Sequence, residues 1–444
     1  MARIAPMLLA LAFGPVAGIA VMGAVSAQTA AQDPASLAFT LLDHLDASRY
    51  AQAEAMFDAA MAQAVPADKL REVWESLPAQ VGRATGRGDA EVSSQDGTHL
   101  VQVPLHHEKA ELVAKVAIDA AGRIAGFLIQ PAQAAAPAPA VADDAPYAER
   151  DFAVGEGDAA LPGTLAMPKG DGPFPAVVLV HGSGPQDRDE TIGPNKPFLD
   201  IARGLAAQGI AVLRYEKRTK ARPQDFAGKA FGVDEETTFD AVQAVAALRA
   251  TDGIDPKRVF VLGHSQGGMM APRIAAMSGH VAGLVLLAAP ARSLLDIVIE
   301  QNRRLAVLDD GKTSDAERAA ITALIQQVRD TRDPATDAAA KGVMGLPVGY
   351  WRSIDAVDPV AEAKSVALPM LVLQGARDIQ VVDADWQRWR GAFHADKRVA
   401  FRLYPALNHL GIAGEGEGSL AEYQTPGHVD AALIDDVAAW IKAR

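Results

Sequence analysis

The sequence predicts an α/β architecture: a mainly parallel sheet layered with helices and interrupted by a helical lid insertion, with a small α+β domain ahead of it. Three observations predict it. From residue 147 onward, short runs rich in Val, Leu and Ile alternate with stretches of helical period. Before residue 131 the order is different, with helical patterns first and strand patterns after. Between the two lies residues 132–146, a Pro/Ala-rich linker that proline keeps extended. At 444 residues and 49% hydrophobic, the chain is long and apolar enough for more than one core.

Residues 1–27 read as an export signal. Arg3 gives a positive start, an apolar run covers residues 7–25, and Val25-Ser26-Ala27 offers a small-x-small cleavage site. Pro15 and several small residues interrupt the run, which favours cleavage over a retained anchor. The expectation is a periplasmic or secreted protein with no stable membrane span after cleavage. The chain has no cysteine, which excludes disulfides, a thiolate nucleophile, thiolate metal sites and a lipidated N-terminal Cys.

Residues 33–131 form the small α+β domain. Apolar residues at Leu41, Leu42, Leu45, Ala53 and Phe57 predict a helix over residues 37–64, and Pro66 opens a second over 67–77. Alternation predicts strands at 100–104, 110–118 and 123–129, with a hairpin turn at 119–122. His106 and His107 are adjacent on a strand and face opposite ways, so they do not form a metal pair.

Residues 147–444 carry the main sheet. Strands are predicted at 175–180, 210–215, 258–263, 281–288, 369–374 and 399–404. Helices are predicted at 198–208, 234–249, 269–277 and 429–442. Residues 291–366 interrupt the rhythm with amphipathic helices, placed where a lid over a site would be; Met344, Leu346, Tyr350 and Trp351 within it are candidates to line an acyl pocket.

The formal net charge is −13, and no basic stripe is present to neutralise phosphates, which argues against nucleic acid as a partner. The chemistry lies in Gly263-His264-Ser265-Gln266-Gly267. As a bare pattern, Gly-x-Ser-x-Gly is expected by chance about once in ten such chains. Here a predicted strand runs straight into it and a predicted helix opens straight after it. A serine on that sharp turn projects from the C-terminal edge of the sheet, and the flanking glycines let the backbone fold tightly.

A serine hydroxyl needs a base and an orienting acid. Asp378 directly follows the strand at 369–374, on the right edge of the sheet. Asp383, Asp385 and Asp358 are rivals in poorer positions. His409 follows the last strand, on a loop able to swing over Ser265; His428, beside the final helix, reads as a cap. An oxyanion hole is expected from the backbone N–H groups of Ser183, in His181-Gly182-Ser183-Gly184-Pro185, and of Gln266. Asp187, Arg188, Asp189, Lys217 and Arg218 lie near the same edge and read as an ion-pair network holding loops, or as contacts for a carboxylate on the substrate.

With these segments in hand, together with Leu213-Arg214-Tyr215-Glu216-Lys217-Arg218, residues 150–444 resemble the α/β-hydrolase fold, and within it bacterial carboxylesterases of the dienelactone-hydrolase and serine-aminopeptidase-like group. Residues 33–131 resemble a small domain of unknown function that often precedes such hydrolases. The resemblance implies a Ser265–Asp378–His409 triad, a small-molecule ester substrate of short acyl chain, and neither metal nor organic cofactor. The nucleophile is serine, where true dienelactone hydrolases use cysteine. Exopeptidase and thioesterase activity use the same machinery and stay open, as does an inactive binding protein.

Overall fold

The computed structural model describes residues 33–95, 98–131, 138–226, 228–308, 311, 313 and 315–444. The expected signal at 1–27 and the first part of the linker, 132–137, lie outside them. The chain divides into two compact units, Met1–Ala134 and Ala135–Arg444.

In the first unit, four helices precede a five-stranded antiparallel sheet: α1 (Pro34–Asp46), α2 (Tyr50–Glu54), α3 (Ala59–Ala64), α4 (Ala67–Val81), then β1 (Ala84–Arg87), β2 (Glu91–Gln95), β3 (Thr98–His107), β4 (Glu111–Ile118) and β5 (Ile124–Pro131). The helix expected over 37–64 is three helices. Ser48 adopts a left-handed φ of 56° just beyond α1, and Asp58 caps α3 by accepting the Met61 N–H at 2.7 Å. Phe57 between them bridges to Ile124, so contact with the sheet breaks the helix where the apolar period alone would continue it. His106 faces Glu111 and His107 faces the Gly82 carbonyl, so the two imidazoles do not converge.

The second unit is built on an eight-stranded sheet. Its strands are β6 (Tyr147–Val154), β7 (Leu161–Pro168), β8 (Phe174–Val180), β9 (Ala211–Tyr215), β10 (Ile254–His264), β11 (Leu284–Leu287), β12 (Met370–Gly375) and β13 (Val399–Tyr404), in the order β13-β12-β11-β10-β8-β9-β7-β6. From β13 to β9 every pairing is parallel; β7 and β6 add an antiparallel edge. β8 and β10 to β12 carry the near-continuous apolar runs of strands covered on both faces. One face is covered by α7 (Phe239–Arg249) and α8 (Gln266–Ser278), the other by α5 (Pro197–Ala206) and α14 (Ala431–Lys442), each with its own apolar core. A short α6 (Arg218–Ala221) follows β9.

Between β11 and β12 the chain inserts α9 (Leu294–Leu308), α10 (Asp315–Arg332), α11 (Val348–Asp355) and α12 (Pro359–Val366), and α13 (Asp383–Phe393) joins β12 to β13. Within the insertion Tyr350 and Trp351 are buried, but Met344 is 76% exposed and Leu346 is also exposed. Met344 therefore faces solvent, contrary to a pocket-lining role. No helix among the described residues is long and apolar enough to cross a membrane.

Candidate active site

The loops after β8, β10, β12 and β13 all leave the same edge of the sheet, because these strands run parallel. They carry, in turn, Ser183, Ser265, Asp378 and His409.

Ser265 sits between β10 and α8 with φ 52° and ψ −121°, a conformation that side-chain-bearing residues rarely hold. Its N–H donates to the Leu287 carbonyl at 2.9 Å, and its carbonyl accepts from Met269 at 3.0 Å, so strand β11 and the first turn of α8 pin the turn from both sides. The glycines are a packing necessity. A Cβ on Gly263 would lie 2.2 Å from the Gly267 carbonyl oxygen, and one on Gly267 would lie 2.1 Å from that of Val180. The N–H of Gln266 opens α8, where no intrahelical acceptor exists for it.

Asp378 and His409 meet as a buried pair, with Nδ1 of His409 2.8 Å from Oδ2 of Asp378. The other carboxylate oxygen accepts from the N–H groups of Gln380 and Val381, at 2.8 and 3.0 Å, and Gln374 donates to Oδ2 at 3.1 Å. The carboxylate is thus fixed by four partners. The loop holding His409 is shaped by Asn408, whose Oδ1 accepts from Leu410 and Ile412, and by Arg377, which donates to the carbonyls of Gly416 and Glu415. Among the described residues no hydrogen bond joins Ser265 to His409.

The rival carboxylates are occupied elsewhere. Asp358 caps α12, Asp385 accepts from the Ala291 N–H and Arg292, and Asp383 pairs with Gln387 on its own helix. His428 is exposed and faces Asp200.

The Ser183 loop lies against the serine turn: a Cβ on Gly182 would stand 3.3 Å from Cβ of Ser265. Both polar groups of Gly182 are held. Its N–H donates to Glu190 at 2.6 Å, and its carbonyl accepts from Lys217 Nζ at 2.9 Å. His264 lies behind the serine, with Nδ1 2.8 Å from Glu190 and Nε2 2.9 Å from the His409 carbonyl. Burial opposes charge on His264, but the Glu190 carboxylate outweighs it and raises its pKa; burial likewise opposes charge on Glu190, and His264 holds that carboxyl below its usual value. Buried His181 goes the other way, pushed down to about 4 by loss of solvent.

The charged residues near this edge pair within the protein. Lys217 meets Glu236, Arg218 meets Asp240 and Asp225, Arg188 meets Glu216, and Asp189 meets Arg214 and Lys196. Glu190 and Glu236 were not singled out by sequence reasoning. Glu190 closes the charged run that directly follows the glycine-rich loop, but nothing in that run distinguishes it from Asp187 and Asp189. Glu236 carried no signal.

A sharp strand-to-helix turn at the carboxyl edge of a mainly parallel sheet, with helices on both faces, is the architecture of α/β hydrolases. Residues 177–416 match the family described as alpha/beta hydrolase family, and residues 38–127 match one described as protein of unknown function (DUF3887). The chain is 36% identical over 405 residues to Esterase EstD of Thermotoga maritima, covering 91% of this chain and 94% of that one. That alignment is longer than the second unit, so it extends into the first. Among solved structures, Est1E from Butyrivibrio proteoclasticus is similar at 16% identity and a TM-score of 0.43, covering 66% of this chain and 99% of that one. The hyperthermophilic esterase from Pyrobaculum calidifontis is similar at 16% identity and a TM-score of 0.42, covering 67% and 83%. The chain belongs to the alpha/beta hydrolase family, as a hydrolase of the carboxylesterase type.

Proposed function

We propose that this chain hydrolyses carboxylic esters of short acyl chain through an acyl-enzyme on Ser265. The observation that carries the reading is the 36% identity to an esterase across 91% of the chain, and the buried His409–Asp378 pair at the same sheet edge as the serine turn gives it a mechanism.

Ser265 Oγ attacks the acyl carbon while Nε2 of His409 takes its proton. Asp378 holds the Nδ1–H tautomer and stabilises the imidazolium that forms. The oxygen of the tetrahedral intermediate accepts hydrogen bonds from the N–H groups of Ser183 and Gln266. Collapse expels the alcohol, which leaves with the proton from His409. Water, activated by the same imidazole, then attacks the acyl-enzyme, releasing the acid and restoring Ser265. The balance needs water alone.

The deciding experiment is turnover of p-nitrophenyl acetate and butyrate by wild type and Ser265→Ala. The variant should fold normally and lose turnover; retained turnover in pure protein would sink the reading. Parallel rates on aminoacyl nitroanilides and acyl-CoAs separate the ester reading from peptidase and thioesterase. We also read the chain as exported, on the strength of residues 1–27, and N-terminal sequencing of the mature protein should begin at Gln28.

A further inference from the structure

Lys217 and Glu236 form an ion pair at 2.8 Å, and both side chains are almost wholly shielded from solvent, at 3% and 4% exposure. Such a pair contributes little net stability, because desolvating two charges offsets most of their attraction. What a buried pair does supply is fixed geometry. The Lys217 ammonium has a second partner, the carbonyl oxygen of Gly182 at 2.9 Å.

That carbonyl belongs to the peptide whose N–H is Ser183's. In a trans peptide the C=O and the N–H point in opposite directions. Holding the Gly182 oxygen toward Lys217 therefore turns the Ser183 N–H away from it. The preceding peptide is also fixed, because the Gly182 N–H is held by Glu190 at 2.6 Å.

Glu236 is itself anchored. Its second oxygen accepts from Nε2 of Gln266 at 2.7 Å and from the Tyr350 hydroxyl at 2.8 Å. Gln266 supplies the other backbone N–H assigned to the oxyanion hole. Tyr350 belongs to α11, in the insertion. One carboxylate thus touches the residue after the nucleophile, the helical insertion and the lysine that holds the glycine-rich loop. It sits on a π-helical turn, Asp234–Thr238, a local widening that helices frequently adopt at functional sites.

We infer that Lys217, fixed by Glu236, is a positioning residue for the oxyanion hole: through the Gly182 carbonyl it aims the Ser183 N–H at the oxygen that becomes negative during acyl transfer. The inference rests on the proposed acyl transfer at Ser265. An apolar side chain of similar length would fill the same space without desolvating a charge, but it could not donate to Gly182.

Losing a whole oxyanion donor costs about 10²- to 10³-fold in kcat. A donor left in place but free to turn should cost somewhat less, about 30-fold on the same scale. The test compares Lys217→Met, and the double variant Lys217→Met with Glu236→Gln, against wild type. The double variant leaves no unpaired buried charge, and its glutamine can still accept from Gln266 and Tyr350.

Each protein is assayed for kcat and KM on p-nitrophenyl butyrate and for inhibition by a trifluoromethyl ketone, which adds to serine as a tetrahedral oxyanion. Rates are expressed per active site counted by end-point fluorophosphonate labelling, so a reduced folded fraction is divided out. The double variant should lose kcat with KM nearly unchanged, and trifluoromethyl ketone affinity should fall by a similar factor. Wild-type kcat per labelled site in the double variant overturns the inference, even if Lys217→Met alone is impaired, because the loss then traces to an unpaired Glu236. A Ser265→Ala variant that still turns over substrate would instead overturn the acyl-transfer reading beneath it.

Discussion

Nδ1 of His264 lies 2.8 Å from a carboxylate oxygen of Glu190, with both side chains buried. The other ring nitrogen faces the carbonyl of His409 at 2.9 Å. Both nitrogens therefore face acceptors, and a neutral imidazole has only one N–H to give. The arrangement favours the doubly protonated form of His264, in keeping with its raised pKa, and bridges the Ser183 loop to the backbone of His409.

This bridge has a pH signature. The Glu190 carboxyl is held below its ordinary value of 4.5, so its contribution is present above that pH and is lost as pH falls through the lowered value. The His264 pKa is raised above 6.5, so its contribution is present below 6.5 and is lost as pH rises through the raised value. Glu190→Gln should lower stability by about 3 kcal/mol near pH 5.5, with a smaller gap in stronger acid and in alkali. Denaturant unfolding of both proteins across pH reads the gap directly, and a gap of constant size would refute the charged bridge.

His181 is shifted the opposite way from His264, and like Glu190 it costs stability in acid. Burial holds it down to about 4 from an ordinary 6.5, so the unfolded chain binds a proton that the folded one refuses in this window. Wild-type stability should decline by about 3 kcal/mol from this residue as pH drops from 6.5 to 4. His181→Asn should start less stable, having lost the ring contacts with Phe198 and Tyr215, yet decline less steeply. Equal slopes would rule the residue out as a source of acid sensitivity.

Asp378→Asn should fold normally, because an amide oxygen can still accept from Gln380 and Val381. It should lower kcat by about 10⁴-fold, since the amide can present an N–H to Nδ1 and favour the wrong tautomer. Steady-state kinetics on p-nitrophenyl butyrate decide it; a loss under tenfold would mean another acid serves His409.

Two glycine substitutions separate crowding from backbone strain. A Cβ at Gly267 lands on the Val180 and His181 carbonyl oxygens, at 2.1 and 2.7 Å, so Gly267→Ala should cost more than about 3 kcal/mol or abolish folding. Gly279 has a left-handed φ of 65° but open space around it, so Gly279→Ala should cost only about 1 kcal/mol. Thermal melts of the two variants should differ widely, and similar values would contradict the packing described at the serine turn.

The strands β8 and β10 to β12 were legible because burial on both faces leaves a near-continuous apolar run in each. The antiparallel edge, β6 and β7, was not legible, because β6 carries Glu149-Arg150-Asp151 in place of an apolar run and β7 is broken by Pro162, Gly163 and Pro168. Glu149 meets Arg214 and Arg203, contacts made with residues distant in sequence. The same limit hid Glu190 and Glu236. Each is one acid among several in its segment, and what distinguishes it is a partner that only the folded sheet brings near: His264 for one, Lys217 for the other. The placement of Ser265, Asp378 and His409 was readable because each lies on the segment that leaves the carboxyl end of its own strand.

The backbone of Ser265 sets chemistry against durability at one position. A residue with a side chain at φ 52° and ψ −121° is strained by about 1–3 kcal/mol, and glycine alone would relax it. Ser265→Gly should therefore melt above Ser265→Ala, though both lack the hydroxyl. A gene copy freed from selection for turnover would have an easy downhill route, one codon change that gains stability and silences the site. Under the acyl transfer proposed for Ser265, the strain at this turn is the stability that the hydroxyl costs the fold.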